Sequence, residues 1–142
     1  MTQLVDVGDA KLAAVNYHNS GGYQKDLALV NSQVSAWLQE RAPQVQEPAL
    51  VLDIDDTALS NWEVIMANDF GRVFEGPCRD LPKGPCGWVA WDLLARSTAI
   101  PETQAVFTQV RSIGIEVFFL TERDEAQRSA TVKNLRNAGY SG

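Results

Sequence analysis

The sequence predicts an α/β protein in which helices flank a parallel β-sheet. Two apolar runs, residues 49–54 and 115–120, have the length and the apolar content of buried strands. Helical periodicity lies between the two runs and again after the second, and such alternation of strand and helix is typical of parallel sheets. Because crossovers between parallel strands are right-handed, the carboxyl ends of both strands should lie side by side. At 142 residues, the chain is long enough for one domain with a small insertion.

The segment before the first strand contains one predicted helix. It spans residues 23–41 and ends before Pro43. Its apolar positions recur at helical spacing, and they are Leu27, Val30, Val34 and Trp37 or Leu38. Residues 1–22 show only weak patterning, with a turn predicted at 19–22.

Two further helices flank the second strand. Pro101 begins one of them, since proline is favoured at the first helical position, and Gly114 follows its end. The other spans about 124–138 and ends at Gly139. The chain thus divides into a helix and first strand at 1–60, a cap-like insertion at 61–100, and a helix, strand and helix at 101–142.

Three carboxylates follow the first apolar run, those of Asp53, Asp55 and Asp56, with Thr57 directly after them. Open α/β sheets bind their ligands at the carboxyl ends of the strands. Like charges this close repel one another, and no Lys or Arg occurs between positions 42 and 71. A bound cation is the simplest compensation, and oxygen ligands alone suit Mg²⁺. The pattern therefore predicts a Mg²⁺ site that includes Asp53 and Asp55.

An EF-hand calcium loop also begins with Asp-x-Asp. Counting from Asp53, its turn glycine and its bidentate Glu would fall at Ala58 and Val64, and a strand rather than a helix precedes the segment. The EF-hand interpretation therefore fails. Carboxylates solvated in an ordinary loop are the other alternative. The hydroxyl of Thr121 at the end of the second strand makes that alternative weaker, because it should converge with the carboxylates.

A carboxylate, a second carboxylate two residues later and a hydroxyl on the next strand suit phosphoryl transfer. Asp53 would attack phosphorus and form an aspartyl-phosphate. Asp55 would protonate the leaving oxygen and then deprotonate the water that hydrolyses the intermediate. Thr121 would hydrogen-bond a phosphoryl oxygen, while the cation reduces the repulsion between carboxylate and phosphate.

The composition limits the partners. A net charge of −6 and a pI near 4.7 argue against a nucleic-acid polymer. No apolar run approaches the length of a transmembrane helix. The N-terminus does not show the basic-then-apolar pattern of a signal peptide.

Cys78 and Cys86 lie in a Pro- and Gly-rich loop that could close on itself. A disulfide, which would favour an exported protein, and two unpaired thiols are both consistent with this pattern. A zinc site is disfavoured, because two thiols and the distant His18 do not complete a tetrahedral ligand set.

The acidic segment resembles the DxDxT first motif of the haloacid dehalogenase (HAD) superfamily in Asp53-Ile-Asp55-Asp56-Thr57. The second strand, Val117-Phe-Phe-Leu-Thr121-Glu-Arg123, is similar to the second motif of that superfamily. The closest resemblance is to subfamily IIIB, the class B and class C acid phosphatases, which includes lipoprotein acid phosphatases and plant vegetative storage proteins. Further similarities extend over most of the chain, at Ser20-Gly-Gly-Tyr23, Asn61, Trp88-x-x-Trp91, Arg128, Thr131, Asn134-Leu135 and Gly139-Tyr140.

This resemblance implies a HAD-like Rossmannoid sheet and a Mg²⁺-dependent phosphomonoesterase with Asp53 as nucleophile and Asp55 as acid/base. The backbone carbonyl of Asp55 would be a further metal ligand. The family also needs a Lys that steadies the phosphate and further acidic metal ligands on later strands, and Lys133 in the third predicted helix is no substitute. We therefore expect a C-terminally truncated chain that is weak or inactive alone. The strand of Asp53 would have an open edge, through which copies could self-associate.

Substrate contacts are expected from the insertion and from the second motif. Trp88 and Trp91 would stack a nucleotide base or an aromatic ester, or instead close a small hydrophobic cluster under the loop. Arg123 would meet the substrate or pair with a carboxylate, or form an i,i+4 pair on the third helix. His18 is expected to pack against a helix or to lie at the surface.

The predicted function is hydrolysis of small phosphomonoesters, with nucleotides as one expected group of substrates, by a secreted or cell-envelope enzyme. A non-catalytic storage or binding protein on the same fold is the alternative. Retention of both Asp53 and Asp55 argues against it, since storage does not require them. A phosphotransferase would carry the same residues as a hydrolase.

Overall fold

The strand that carries the acidic motif pairs in parallel with the second predicted strand, which confirms the α/β class. The computed structural model describes residues 6–141. Their helices are α1 (Val7–Asn19), α2 (Gly22–Arg41), α3 (Trp62–Ala67), α4 (Trp88–Leu94), α5 (Pro101–Ser112) and α6 (Arg128–Asn137), with short 3₁₀ turns at Ala42–Gln44 and Glu125–Gln127. Their strands are β1 (Ala49–Asp53), β2 (Leu59–Ser60), β3 (Thr98–Ala99) and β4 (Glu116–Leu120).

The register of β1 and β4 aligns their carboxyl ends. Asp53 lies opposite Leu120. Because side chains alternate across a strand, each strand directs one set of side chains towards the core and the other set away from it. The inward set, Leu50, Leu52, Val117 and Phe119, packs on the core, whereas Val51, Phe118 and Leu120 are exposed. Among the described residues β1 pairs with β4 alone, so one edge of β1 is open as expected, and self-association through that edge remains a prediction.

Two apolar clusters hold the helices against the sheet, and α5 contributes to both. Phe107 belongs to the first cluster, with Ile54, Ala58, Leu59, Leu135 and Tyr140. Val106 and Val110 belong to the second, with Leu38 and Ile115. Gly114 follows α5 with a φ of 81°, a left-handed conformation that favours glycine, as expected for a residue that ends a helix.

The N-terminal segment contains a helix, α1, that the weak patterning of the sequence does not predict. No residue of α1 is buried; its N-terminus is capped by Asp6, which accepts the backbone N–H of Asp9 at 2.9 Å. The turn predicted at 19–22 separates α1 from α2, and residues 1–5 lie outside the described part of the chain.

The row of apolar residues predicted to be buried along α2 is only partly buried: Leu38 is buried, but Val30 and Trp37 are exposed. The reason is that α2 reaches the second cluster only through its C-terminal half.

The predicted insertion leaves and rejoins the fold at one place. β2 and β3 pair antiparallel, with Leu59 opposite Ala99, and so bring its two ends together. Cys78 and Cys86 form a disulfide, which decides between the alternatives that the sequence leaves open. The boundaries 61–100 remain a prediction. Between residues 6 and 141, no helix is both long and apolar enough to span a membrane.

Candidate active site

The carboxyl ends of β1 and β4 carry four of the predicted site residues. Because Asp53 ends β1 opposite Leu120, Thr121 lies directly beside the acidic segment. Asp55 and Arg123 follow two residues beyond these positions, and their side chains meet. The four side chains thus gather at the end of the sheet where α/β proteins bind ligands.

A tight turn after β1 sets the direction of the acidic segment. The backbone N–H groups of residues 57–59 converge on the carbonyl oxygen of Ile54, whose side chain is buried. Asp56 adopts a left-handed φ of 54°, and its carboxylate accepts the backbone N–H of Asn61 at 2.8 Å. Asp56 therefore stabilises the turn, and burial raises its pKa.

Asp53 and Asp55 differ in exposure and in partners. Asp53 is exposed, and its Oδ2 accepts one hydrogen bond, from Thr57 Oγ1 at 3.1 Å. Asp55 is partly buried: its Oδ1 accepts from Asn61 Nδ2 at 2.9 Å and from Arg123 Nη2 at 2.5 Å. Its Oδ2 accepts from Arg123 Nε at 3.0 Å. Asp53 thus presents an accessible carboxylate, while Asp55 is fixed in one orientation.

Arg123 forms a two-point ion pair with Asp55, so the alternative of an i,i+4 pair on the third helix does not hold. Burial alone would raise the pKa of Asp55, but the hydrogen bonds from Arg123 and Asn61 outweigh burial and hold that pKa below its usual value. Burial alone would lower the pKa of Arg123, but the hydrogen bond and charge of Asp55 raise it. The Arg123 side chain is only 2% exposed, so it belongs to the wall of the site.

Thr121 contacts both members of this pair. Its hydroxyl oxygen accepts the backbone N–H of Arg123 at 3.1 Å, and the hydroxyl lies 3.5 Å from Asp55 Oδ2. Thr121 is partly exposed and lines a surface pocket together with Asp53. This position is compatible with the predicted role in phosphate binding.

Two polar residues of the site have no role in the sequence-based prediction. Asn61 is fully buried; its Oδ1 accepts from Trp91 Nε1 at 2.8 Å and from Ser97 Oγ at 3.3 Å. Asp92 is 2% exposed, and its Oδ1 lies 3.1 Å from Arg123 Nη2. Asp92 could have been recognised from the sequence, because its carboxyl group lies between Trp91 and two leucines in a short apolar segment.

A cavity of about 660 Å³ opens over the carboxylates. Asp53 and Asp55 line it from the sheet, and the insertion contributes Arg72, Phe74 and Trp88. The guanidinium carbon of Arg72 lies 5.0 Å from the centre of the Phe74 ring and 5.3 Å from the Trp88 ring. Aromatic and cationic groups of the insertion thus face the acidic end of the sheet across the cavity.

Trp91 does not line this cavity. The indole is 1% exposed and packs with Val64 and Cys86, beneath the disulfide-closed loop. The predicted contact between Trp91 and a substrate is therefore corrected in favour of the alternative, a small hydrophobic cluster; of the two tryptophans, Trp88 lines the cavity. His18 stacks on Trp62 with ring centres 3.9 Å apart, which agrees with the expected packing role.

The donors available for Mg²⁺ form a partial set. The carboxylate of Asp53 and the backbone carbonyl of Asp55 are the hard oxygen donors that Mg²⁺ takes. In the part of the chain that the structure describes, no three His, Cys, Asp or Glu side chains are grouped so as to hold a metal ion. Lys133 is exposed on α6. The residues present therefore fit Mg²⁺ in chemistry but supply only part of an octahedral ligand set, and water and phosphate oxygens commonly supply the others.

Solved structures with a similar fold include the class C acid phosphatase from Bacillus anthracis. The TM-score is 0.72 at 26% identity, over 92% of this chain and 53% of that one. The structure of the class C enzyme from B. anthracis with tungstate bound gives a TM-score of 0.68 at 25% identity, over 95% of this chain and 54% of that one.

Sequence comparison gives plant relatives. Acid phosphatase 1 of Solanum lycopersicum is 32% identical over 91 residues, which are 63% of this chain and 32% of that protein. The stem 28 kDa glycoprotein of Glycine max is 28% identical over 130 residues, 90% of this chain and 47% of that protein. The chain spans about half or less of the length of these relatives.

The family model described as HAD superfamily, subfamily IIIB (acid phosphatase), matches residues 5–142. It covers nearly the whole chain, and the fold of this chain, with its parallel pair of strands, is similar to that of the B. anthracis class C acid phosphatase. The chain therefore belongs to subfamily IIIB of the HAD superfamily, the acid phosphatase subfamily.

Proposed function

We propose that this chain carries the nucleophile and the acid/base of a Mg²⁺-dependent phosphatase that hydrolyses small phosphomonoesters through an aspartyl-phosphate. One observation carries the proposal: an exposed Asp53 and an Asp55 fixed by Arg123 share one cavity at the carboxyl end of a parallel sheet. A nucleophile must be accessible, and an acid/base must be held in one geometry, so the two environments suit these different roles.

In the first step, an Asp53 carboxylate oxygen forms a bond to phosphorus while the ester P–O bond breaks. The leaving oxygen receives a proton from Asp55. In the second step, Asp55 takes a proton from water, whose oxygen bonds to phosphorus, and the Asp53–phosphorus bond breaks to release inorganic phosphate. If an alcohol replaced water, the same residues would carry out phosphoryl transfer.

Asp55 must be protonated to act as the acid, and its ion pair with Arg123 opposes that protonation. That pair favours the carboxylate, so the charged form of Asp55 dominates near neutral pH. Thr121 donates its hydroxyl to a phosphoryl oxygen in this proposal. Arg123 acts on the substrate mainly through Asp55, because its buried guanidinium already faces that carboxylate. Mg²⁺, held by the Asp53 carboxylate and the Asp55 carbonyl, would offset the charge between carboxylate and phosphate.

The residues that the insertion contributes to the cavity support a proposal for the substrate class. Trp88 and Phe74 offer aromatic surface to the leaving group, and Arg72 adds positive charge beside them. A nucleotide or an aryl phosphate would find stacking surface here, so both are proposed substrates. The storage or binding alternative remains the second candidate, and the retained pair Asp53 and Asp55 argues against it.

We further propose that the 142-residue chain alone is a weak enzyme. A partial set of Mg²⁺ donors and a surface position for Lys133 support this, because the charge of a bound phosphate would be poorly compensated. A secreted or cell-envelope location is also proposed, on the ground that the disulfide between Cys78 and Cys86 would persist in an oxidising compartment.

Hydrolysis of p-nitrophenyl phosphate, with Mg²⁺ and with EDTA, tests the function in the longest natural form that contains these residues. We expect Mg²⁺-dependent release of phosphate that Asp53→Asn abolishes. Asp80→Asn, which removes a charge from the insertion loop outside the cavity, should leave the rate unchanged. An equal rate for Asp53→Asn and the native protein would overturn the proposal. Fast hydrolysis by the 142-residue chain would overturn only the proposal that this chain by itself is a weak enzyme.

A further inference from the structure

We propose that Asp92 is a positioning residue, which holds the guanidinium of Arg123 against Asp55 and so joins the insertion helix α4 to the acid/base. The inference rests on the proposed function for the role of Asp55. The contacts that carry it are geometric and do not depend on that role.

Arg123 is held on three sides. Its Nε and Nη2 donate to the two carboxylate oxygens of Asp55, and its Nη1 donates to Thr131 Oγ1 at 3.2 Å. Asp92 lies on the remaining side, with Oδ1 3.1 Å from Nη2. Nη2 thus lies between two carboxylates that come from different parts of the chain. Hydrogen bonds to Asp55 and Thr131, together with the charge of Asp92 beside Nη2, hold the planar guanidinium in the orientation of its ion pair with Asp55.

The burial of Asp92 is costly without such a role. The side chain is 2% exposed, and its Oδ1 makes no hydrogen bond, although Gln127 Nε2 donates to Oδ2 at 2.7 Å. A buried carboxylate with an unfilled acceptor destabilises the fold unless a nearby charge compensates it. Arg123 supplies that charge, and burial still raises the pKa of Asp92 to about 6. An apolar side chain would avoid this cost, so the carboxylate is explained by what it does to Arg123.

The neighbouring residue of α4 reaches Asp55 by a second route. Trp91 Nε1 donates to Asn61 Oδ1 at 2.8 Å, and Asn61 Nδ2 donates to Asp55 Oδ1 at 2.9 Å. Two consecutive residues of one short helix therefore fix the same carboxylate through different intermediates. A displacement of α4 would act on Asp55 through both, which makes the insertion part of the acid/base geometry as well as a wall of the cavity.

The direct test compares Asp92→Asn with Asp80→Asn, a charge-matched change elsewhere in the insertion. Asparagine preserves the shape and removes the charge that faces Nη2. We expect the Nε–Hε resonance of Arg123 to shift and its exchange with water to accelerate at least about tenfold, because the guanidinium is no longer held. In the phosphatase assay, kcat should fall about ten- to a hundredfold with KM within about threefold, as expected when an acid/base loses its alignment. Asp80→Asn should change none of these values.

A double-variant cycle separates positioning from a general structural effect. If Asp92 acts through Arg123, Asp92→Asn should have no further effect on kcat in an Arg123→Gln background. An unchanged Arg123 resonance, or the same fall in kcat in both backgrounds, would overturn the proposal. Thr131→Val, which removes the Nη1 partner, is measured alongside. It should accelerate the exchange of the Arg123 Nε–Hε proton with water even if Asp92→Asn does not fold. If Asp92→Asn accelerates the exchange of the Arg123 Nε–Hε proton but the native protein has no phosphatase activity, the proposed function is refuted and the positioning role stands.

Discussion

Replacement of Asn61 by Asp should convert a buried hydrogen bond into a repulsive pair. The Asn61 Oδ1 acceptor for Trp91 and Ser97 is kept, but the Nδ2 donor to Asp55 becomes an oxygen. Two charges at the present separation of 2.9 Å would repel by about 6 kcal/mol at an effective dielectric constant of 20. Protonation of the new carboxyl at pH 7 costs about 4 kcal/mol from an ordinary pKa near 4, so the penalty should saturate near that value.

The sign of the pH dependence follows from the same pair. The folded state raises the pKa of the new carboxyl above its unfolded value, so the penalty is present at neutral pH and disappears as the pH falls towards 4. At low pH the protonated group donates to Asp55, as the Asn61 amide does now. The destabilisation should fall from about 4 kcal/mol at pH 7 to less than about 1 kcal/mol at pH 4.

Urea unfolding at pH 4, 5.5 and 7 measures this directly, with Asn137→Asp on the exposed end of α6 as the control. The control should change the free energy of unfolding by less than about 0.5 kcal/mol at each pH. An Asn61→Asp penalty that is the same at pH 4 and pH 7 would refute the reasoning, because the cost would then come from packing and not from the charge of Asp55.

Three other changes have expected results. Reduction of the Cys78–Cys86 disulfide, whose cysteines are 8 positions apart, should lower the free energy of unfolding by about 2.5 kcal/mol, seen as a lower urea midpoint with reductant; an unchanged midpoint would contradict this. Tyr140→Phe removes the donor that lies 2.9 Å from the Ala58 carbonyl, but that carbonyl keeps the Ile100 N–H, so the loss should be about 1 kcal/mol; a loss above about 3 kcal/mol would argue against it. Because the folded pKa of Asp92 is raised to about 6, the folded state binds its proton at higher pH than the unfolded chain, and this group should make stability fall as the pH rises from about 4 to 6. Asp92→Asn should abolish that slope, and identical slopes in both proteins would show that Asp92 titrates normally.

The parallel sheet and the convergence of Asp53 with Thr121 were predictable from sequence because both depend on the pattern of strands and helices along the chain. The two apolar runs predicted β1 and β4, and the right-handed crossover rule predicted that Asp53 lies beside Thr121. The first cluster confirms α5 by the burial of Phe107 on its inner face. These features need only periodicity and topology.

The contacts that organise the site depend on tertiary packing that no local pattern describes. Asp92 reaches Arg123 across 31 positions of sequence, and Trp91 reaches Asn61 across 30. Trp88 and Trp91 have the same side chain three positions apart, yet one lines the cavity and the other is buried under the disulfide loop. The helix α1 buries no residue, so it lacks the buried apolar face on which a prediction from periodicity depends.

Asp53 is proposed as the nucleophile, and trapping of the acyl-phosphate tests that role most directly. The natural protein is mixed with a phosphomonoester, quenched in acid and reduced with borohydride, which converts an aspartyl-phosphate into homoserine. Peptide mass spectrometry should then find homoserine at position 53 and at no other aspartate, and no homoserine in Asp53→Asn. Homoserine at another position, or rapid turnover with Asp53 never modified, would contradict the mechanism.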